Sequence, residues 1–538
     1  MNIDLASAKG YLALVLHAHL PYVRHPEREH FMEENWLFEA ITETYIPLLT
    51  ILQNLTNDRV PFRLTMSMTP PLCSMLADPL LQRRYARHIG LLIELAEKET
   101  VRTRNDPAFA QTAQMYLDRF RVCRRMFVDI CNYDLVAAFR RLQDAGSLEI
   151  IACAATHGYL PNMQANPTAV RAQVHTGVES YRSFFGRRPR GIWLPECGYY
   201  PGLEEILEEE RIRYFFTDTH GILYADPRPK YGIFAPVFCG NTGVAAFARD
   251  VESSKSVWSS KEGYPGDRDY RDFYRDIGFD LDMDYIRPYI DPAGIPMHTG
   301  IKYYRITGKT KHKQPYDYRK ALRRASVHAG NFMFNREKQV EYLASNMDRP
   351  PIIIAPYDAE LFGHWWYEGP YWINHLMRKM AFEQNTVRLV TCAEYLDAHP
   401  LNQVCTPSFS SWGDKGYSEV WLAGGNDWIY RHLHRLEEKM CDAARRFAGA
   451  RGLRARVLNQ MARELLLAQA SDWAFIMSTG TNVDYAVRRT KEHVAAFLRL
   501  HRELLKGSPD EAFVSLCESH DNIFPNIDFH MYASSADS

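Results

Sequence analysis

The sequence predicts an α/β chain built on a (β/α) barrel, and two observations carry that expectation. Short apolar runs recur along the first 400 residues, and nearly every one ends in polar or catalytic-type side chains. Helical periodicity fills several of the intervals between them. The runs are near-continuous and rich in Ile, Val, Leu and Phe, the pattern of parallel strands buried on both faces. Strand–helix alternation fits a barrel or an open doubly wound sheet. The barrel is preferred because polar groups gather at the C-terminal ends of many strands, where barrel enzymes build their sites.

Taken in order, "YLALVL" ends in His17-Ala18-His19, and "FRLTMSM" ends in Thr69-Pro70. Residues 75–145 then break the alternation with amphipathic helices ("DPLLQRRYARHIGLLIELAEKE") and read as a helical insertion. "LEIIACAA" leads to Thr156-His157-Gly158, "GIWLP" to Glu196, "RYFF" to Thr217-Asp218-Thr219-His220, and "GVAAFA" to Arg249-Asp250. Helical patterns at 38–55, 168–186 and 202–211 separate some of these. Residues 251–316 read as a long polar loop rich in Tyr, Gly and Asp, and a loop of that length in a compact enzyme is usually functional. "PIIIAP" runs into Tyr357-Asp358, and "VRLV" into Thr391. The expected organisation is a barrel over 1–400, interrupted at 75–145, then a helical C-terminal domain over 401–538 with a Trp-rich connector at 407–428.

Composition excludes several classes. Lys plus Arg is 64 against 65 for Asp plus Glu, and no polybasic arm occurs, so there is no electrostatic footprint for nucleic acid. No run reaches membrane-spanning length, and "YLALVL" is too short and too quickly polar for a signal peptide. The ten cysteines contain no C-x-x-C pair and read as reduced, mostly buried thiols of a cytoplasmic protein. Aromatic residues reach 13%, with 31 tyrosines and 10 tryptophans. Such rings fill large cores, and they also stack on the apolar C–H faces of sugars.

Two acids stand at strand ends among aromatic residues: Glu196 in "WLPECGYYP" and Asp358 in "APYDAELFGHWW". Paired carboxylates at a barrel mouth suffice for glycosidic cleavage, one attacking or stabilising the anomeric carbon and the other protonating the leaving oxygen. An acid after a strand also commonly caps the next helix, but capping does not call for the surrounding rings. Glu360, two residues past Asp358, reads as a supporting or capping residue. His17 and His19 can both turn toward the mouth past the strand end. They fit either a metal site, with His157, Asp218 and His220 as further ligands, or hydrogen bonding to sugar hydroxyls and a carboxylate. Trp412, Trp421 and Trp428 on the Gly-rich connector need something to cover, either the C-terminal unit or a substrate.

In combination, "VLHAHLPYVR", "EENWLFEAITETYIPLL", "THGYLP", "IWLPECGY", "PYDAELFGHWWYEGP" and "SSWGDKGYSEVWL" resemble glycoside hydrolase family 57, and within it the 1,4-α-glucan branching enzymes. The resemblance spans nearly the whole chain. It implies an incomplete (β/α)7 barrel with a helical insertion and a helical C-terminal domain. It further implies retaining transglycosylation on an α-glucan of the amylose or glycogen type, with no metal and no cofactor. Glu196 matches the family's nucleophile and Asp358 its general acid/base. His17, His19 and His157 match active-site histidines; Trp36, Trp365, Trp412 and Trp421 match aromatic positions of the glucan cleft. Asp218 and Trp428 join them as expected substrate contacts. The branching members also use a tyrosine at the tip of a mobile loop, for which Tyr231, Tyr264 and Tyr270 are the candidates. A 4-α-glucanotransferase, an α-amylase and a metal-dependent deacetylase-like hydrolase are the rival readings. Monomer and homodimer are both open.

Overall fold

A computed structural model of the chain describes residues 8–259, 262–290 and 294–533. Ten strands form one sheet: β1 (Gly10–Ala18), β2 (Leu64–Met68), β3 (Leu148–Cys153), β4 (Gly191–Trp193), β5 (Tyr214–Thr217), β6 (Val237–Cys239), β7 (Ala245–Ala248), β8 (Ile352–Asp358), β9 (Val387–Leu389) and β10 (Gln403–Cys405). Their order is β10-β6-β7-β5-β4-β3-β2-β1-β8, with β9 also paired to β1. From β7 to β8 every neighbour is parallel, and only β6 against β7 is antiparallel. Those seven parallel strands curl into a barrel that the ladder leaves incomplete. Its two ends are tied by a backbone bond from the Asp250 N–H to the Ile354 carbonyl, 2.9 Å.

Side-chain alternation places the site. Along β1, Leu12, Leu14 and Leu16 face the surrounding helices. Tyr11, Ala13 and Val15 pack with Ile151, Trp193, Phe216 and Ile354 inside the barrel. His17 continues the inward set, because residues two apart share a face. Asp358 continues the inward series Ile352 and Ile354 on β8 in the same way. In register, His17 lies opposite both Ser67 on β2 and Asp358 on β8. The apolar layers below thus fix these polar groups at the C-terminal rim. Residues 17 and 19 differ by two, so His19 needs no turn to join them; the two rings lie 5.8 Å apart.

Helices Pro79–Arg102 and Ala110–Arg124 dominate the insertion after β2. The first is capped by Asp78, which accepts from the N–H groups of Leu80 and Leu81 at 2.9 and 3.0 Å. The 251–316 segment is less irregular than its composition suggests. It carries the helix Val251–Trp258 and the one-turn helices Ile277–Asp280 and Met283–Ile286. Asp276 organises it, accepting from the N–H groups of Gly278, Thr299 and Gly300 and from the Thr299 hydroxyl, all within 3.0 Å. Arg271 pins it to the barrel through a buried ion pair with Glu43, 3.0 Å. The sheet itself extends past residue 400 through β10, which pairs parallel with β6, beyond the antiparallel β6–β7 step.

The C-terminal helices are Tyr430–Arg446, Leu453–Ala468, Ser471–Thr479, Val483–Lys506 and Glu511–His520. The third of them aims its first turn into the barrel mouth, where the Ser471 N–H reaches the His157 carbonyl at 3.2 Å. All ten cysteines are buried and unbridged. Among the described residues no helix is long and apolar enough to cross a membrane.

Candidate active site

A cavity of 1440 Å³ opens at the C-terminal end of the barrel. Of the residues expected at a site, Glu196, Asp358, His17, His19, His157, Trp365, Trp412 and Trp421 line it, and Trp36, Asp218 and Trp428 do not. Trp36 packs edge-on against Tyr485, 5.8 Å between ring centres. Trp428 packs beside His432. Asp218 caps the short helix Thr219–Leu223 and pairs with Arg249 at 2.5 Å, so the capping role prevails there. Arg249, not Asp218, faces the cavity.

Glu196 follows β4 in a tight turn and adopts a left-handed backbone, φ 61° and ψ 23°. Cys197 and His157 share positive φ, at 50° and 59°. Such conformations cost about 1–3 kcal/mol each in non-glycine residues and concentrate where geometry serves function. Trp412 holds the Glu196 turn at two points. Its backbone N–H donates to the Glu196 carbonyl, and its indole N–H to Oε2, both at 2.9 Å. Ser471 donates its hydroxyl to Oε1 at 3.2 Å. Burial pushes the Glu196 carboxyl up to about 7, while the two donors and His19 act against that rise.

A hydrogen-bonded chain leads to the same carboxylate. Ser67 Oγ lies 3.2 Å from His17 Nδ1, and His17 Nε2 is 2.9 Å from His157 Nε2. His157 Nδ1 is 2.8 Å from Ser471 Oγ. Burial first, and the neighbouring His19 second, hold both His17 and His157 well below the ordinary histidine range, so both rings are neutral. A neutral imidazole has one donor and one acceptor nitrogen. Ser471 gives its proton to Glu196, so it accepts from His157 Nδ1–H. His157 Nε2 then accepts from His17 Nε2–H, and His17 Nδ1 accepts from Ser67. Every donation points toward Glu196. His19 differs from its neighbours: burial lowers its pKa, but Asp472 at 3.0 Å outweighs that, and the ring sits above the ordinary value. His19, whose pKa is raised, therefore stacks at 3.9 Å on a His157 whose pKa is lowered.

Asp358 is placed in the opposite electrostatic setting. Among the described residues its carboxyl has no hydrogen-bond donor. Burial, then the charges of Glu360 and Glu196, raise it well above the usual carboxylate range. Glu360 lines the cavity too, accepting from the Tyr45 hydroxyl and from the His19 N–H at 3.3 Å. The two acids are thus driven apart in character, one surrounded by donors and one deprived of them, the arrangement that separates a nucleophile from a proton donor.

The walls are aromatic. Trp421 stacks on Tyr159 at 4.9 Å. Trp258, from the 251–316 segment, stands edge-on to Trp412 at 6.0 Å. Trp365 is 55% exposed and stacks on Phe273 of the same segment, 4.4 Å, leaving a large ring at the lip. The three loop-tyrosine candidates are engaged elsewhere. Tyr231 bonds Asp348, Tyr264 bonds Asn331 at 2.8 Å, and Tyr270 is buried against His328 at 2.8 Å. The exposed tyrosine that lines the cavity is Tyr274. Ser67, Trp258, Ser471 and Asp472 were not singled out by the sequence, and Arg249 stood only at the end of an apolar run. Ser471 and Asp472 lie in "QASDWAF", which signals no more than a helix start.

The metal arrangement considered for His17 and His19 does not assemble. Asp218 is held by Arg249, and His220 Nε2 lies 2.9 Å from the Gly416 carbonyl. His19, His157 and Asp472 do cluster within 4.8 Å, but their ring nitrogens are engaged by Thr69, Asp472, His17 and Ser471.

Fold and site together define a barrel enzyme equipped for glycosidic chemistry. The sequence model of glycosyl hydrolase family 57 matches residues 13–407, and that of the C-terminal region of 1,4-alpha-glucan branching enzyme matches 432–532. The chain belongs to glycosyl hydrolase family 57. It is 34% identical to the 1,4-alpha-glucan branching enzyme TK1436 of Thermococcus kodakarensis, over 98% of this chain and 79% of that one. It superposes on the solved alpha-amylase AmyC of Thermotoga maritima with TM-score 0.92 and 46% identity, covering 98% and 99% of the two chains. The GH57-type branching enzyme of Pyrococcus horikoshii gives TM-score 0.88 and 34% identity, with 98% of each chain covered.

Proposed function

We propose that this chain is a 1,4-α-glucan branching enzyme that works by retaining transglycosylation. The observation that carries the reading is the contrast between the two acids on one cavity: Glu196 held by Trp412 and Ser471, and Asp358 without a donor. Glu196 attacks the anomeric carbon of an α-1,4 linkage while Asp358 gives its proton to the departing 4-oxygen. The shortened chain leaves and the other fragment stays esterified to Glu196. Asp358, now ionised, takes the proton of a glucan 6-hydroxyl, which displaces Glu196 and forms an α-1,6 branch. The scheme uses no metal and no cofactor. His19 and the aromatic walls would bind sugar hydroxyls and C–H faces. The branching enzymes among its relatives support this reading, and glycogen-type synthesis inside the cell is the role such an activity would serve.

One observation favours a second outcome at the same intermediate: the solved structure sharing 46% identity is described as an α-amylase. Water in place of the 6-hydroxyl gives hydrolysis. Incubation with amylose, then debranching and chain-length analysis, separates the two. Branching creates new short chains released only by an α-1,6-specific debranching enzyme, and hydrolysis creates reducing ends without them. A product with no such chains would overturn the proposal.

A further inference from the structure

A second groove, of 830 Å³, lies on the outside of the barrel and shares no lining residue with the cavity at its mouth. Its walls come from helix Ile46–Asn57, helix Ala110–Arg124, the turn at 315–319 and the start of helix Gly369–Phe382. We propose that this groove is a second carbohydrate site, which holds a segment of α-glucan chain remote from the reacting bond. The inference rests on the polymeric substrate proposed above.

Its chemistry suits a neutral polyhydroxyl ligand. Tyr371 accepts the Tyr318 hydroxyl proton at 2.7 Å and an Arg119 N–H at 3.4 Å. Among the described residues its own proton has no acceptor, so a polarised O–H donor stands at the groove wall. Arg119 has no carboxylate within ion-pair distance among the described residues. Its other hydrogen bond goes to the Glu43 carbonyl, at 3.4 Å, and its guanidinium lies over the Tyr367 ring at 4.4 Å, leaving most of its five N–H donors without an acceptor. The side-chain amides of Asn54 and Gln111 likewise have no partner among the described residues. These groups rise from an apolar floor that includes Met115, with the Tyr318 and Tyr371 rings set edge to face at 6.0 Å. Unspent donors and acceptors around an apolar surface match a sugar, whose hydroxyls both give and accept while its C–H face packs on rings. Asp118 and Asp317 also line the groove and balance Arg119 and Arg319, so the groove carries no net field for an anion. The volume falls within the usual range of about 300–1,000 Å³ for ligand pockets.

The test is calorimetric titration of full-length protein carrying Glu196→Gln, which prevents turnover, with maltoheptaose. Two binding events are expected. Adding Tyr318→Ala and Tyr371→Ala should abolish one of them and weaken retention on amylopectin at least tenfold, through lost avidity. Gln111→Trp, on an exposed helix position, would fill the groove without touching the tyrosine pair and should give the same result. Unchanged stoichiometry in both variants would overturn the proposal, as would a groove that binds inorganic phosphate but not maltoheptaose. Absence of branched product in the amylose experiment, with two sites still present, would overturn the branching reading alone.

Discussion

At the scale of single residues, the site turns on how Trp412 and Ser471 treat Glu196. A nucleophile must be ionised, and burial leaves this carboxyl up at about 7 even though Trp412, His19 and Ser471 lower it. Trp412→Phe keeps the ring and removes the N–H that serves Oε2. The pKa of Glu196 should then rise, and the acidic limb of the pH–activity profile should move to higher pH by about one unit, the scale of one hydrogen bond to a charged group. An unmoved limb would show that the indole N–H does not tune Glu196. The same burial has a stability consequence. A carboxyl whose folded pKa lies above its unfolded value binds more protons in the folded state, so its ionisation opposes folding as pH rises. Glu196→Gln should therefore abolish activity yet raise the melting temperature by a few degrees at pH 8, with little gain near pH 4.5, as thermal unfolding at the two pH values would record.

At the scale of elements, helix Ser471–Thr479 and the 251–316 segment close the site from two sides. The helix brings Ser471 to Glu196 and Asp472 to His19. Asp472→Asn would remove the charge that raises the His19 pKa, so the His19 resonance should titrate at a lower pH and turnover should fall about tenfold or more. A His19 titration unchanged by the substitution would contradict the pairing. The 251–316 segment depends on Arg271, buried against Glu43, which in turn bonds His364 at 2.7 Å beside Trp365. Burial would raise Glu43, but Arg271 and His364 hold it below the usual carboxylate range. Removing one partner of a buried pair costs about 3–5 kcal/mol. Arg271→Met should lower stability by that order and admit water, raising the ratio of reducing ends to α-1,6 linkages in the amylose product.

At the scale of the molecule, the bulk of this site was legible because strands impose order on sequence. Apolar runs ending at His17, Glu196 and Asp358 marked the barrel rim, and the alternation along β1 and β8 turned His17 and Asp358 inward. Asp218 also ends such a run, yet it caps a helix and holds Arg249, a choice that depends on a neighbour 31 positions away. Ser471 and Asp472 were opaque for the same reason: they reach Glu196 across 275 residues and His19 across 453. Only packing of the C-terminal helices on the barrel brings them there. Deleting residues 430–538 should accordingly remove activity, and a truncated chain that branched amylose at full rate would refute that dependence.

The account stands on Glu196 becoming covalently glycosylated with Asp358 as its acid/base. A fluorinated α-glucosyl fluoride, which slows turnover of a glycosyl-enzyme, followed by peptide mass mapping, tests this directly. The prediction is one glucosyl adduct on the peptide containing Glu196, absent in Glu196→Gln. An adduct on another carboxylate, or release of product with inverted configuration and no adduct, would contradict it.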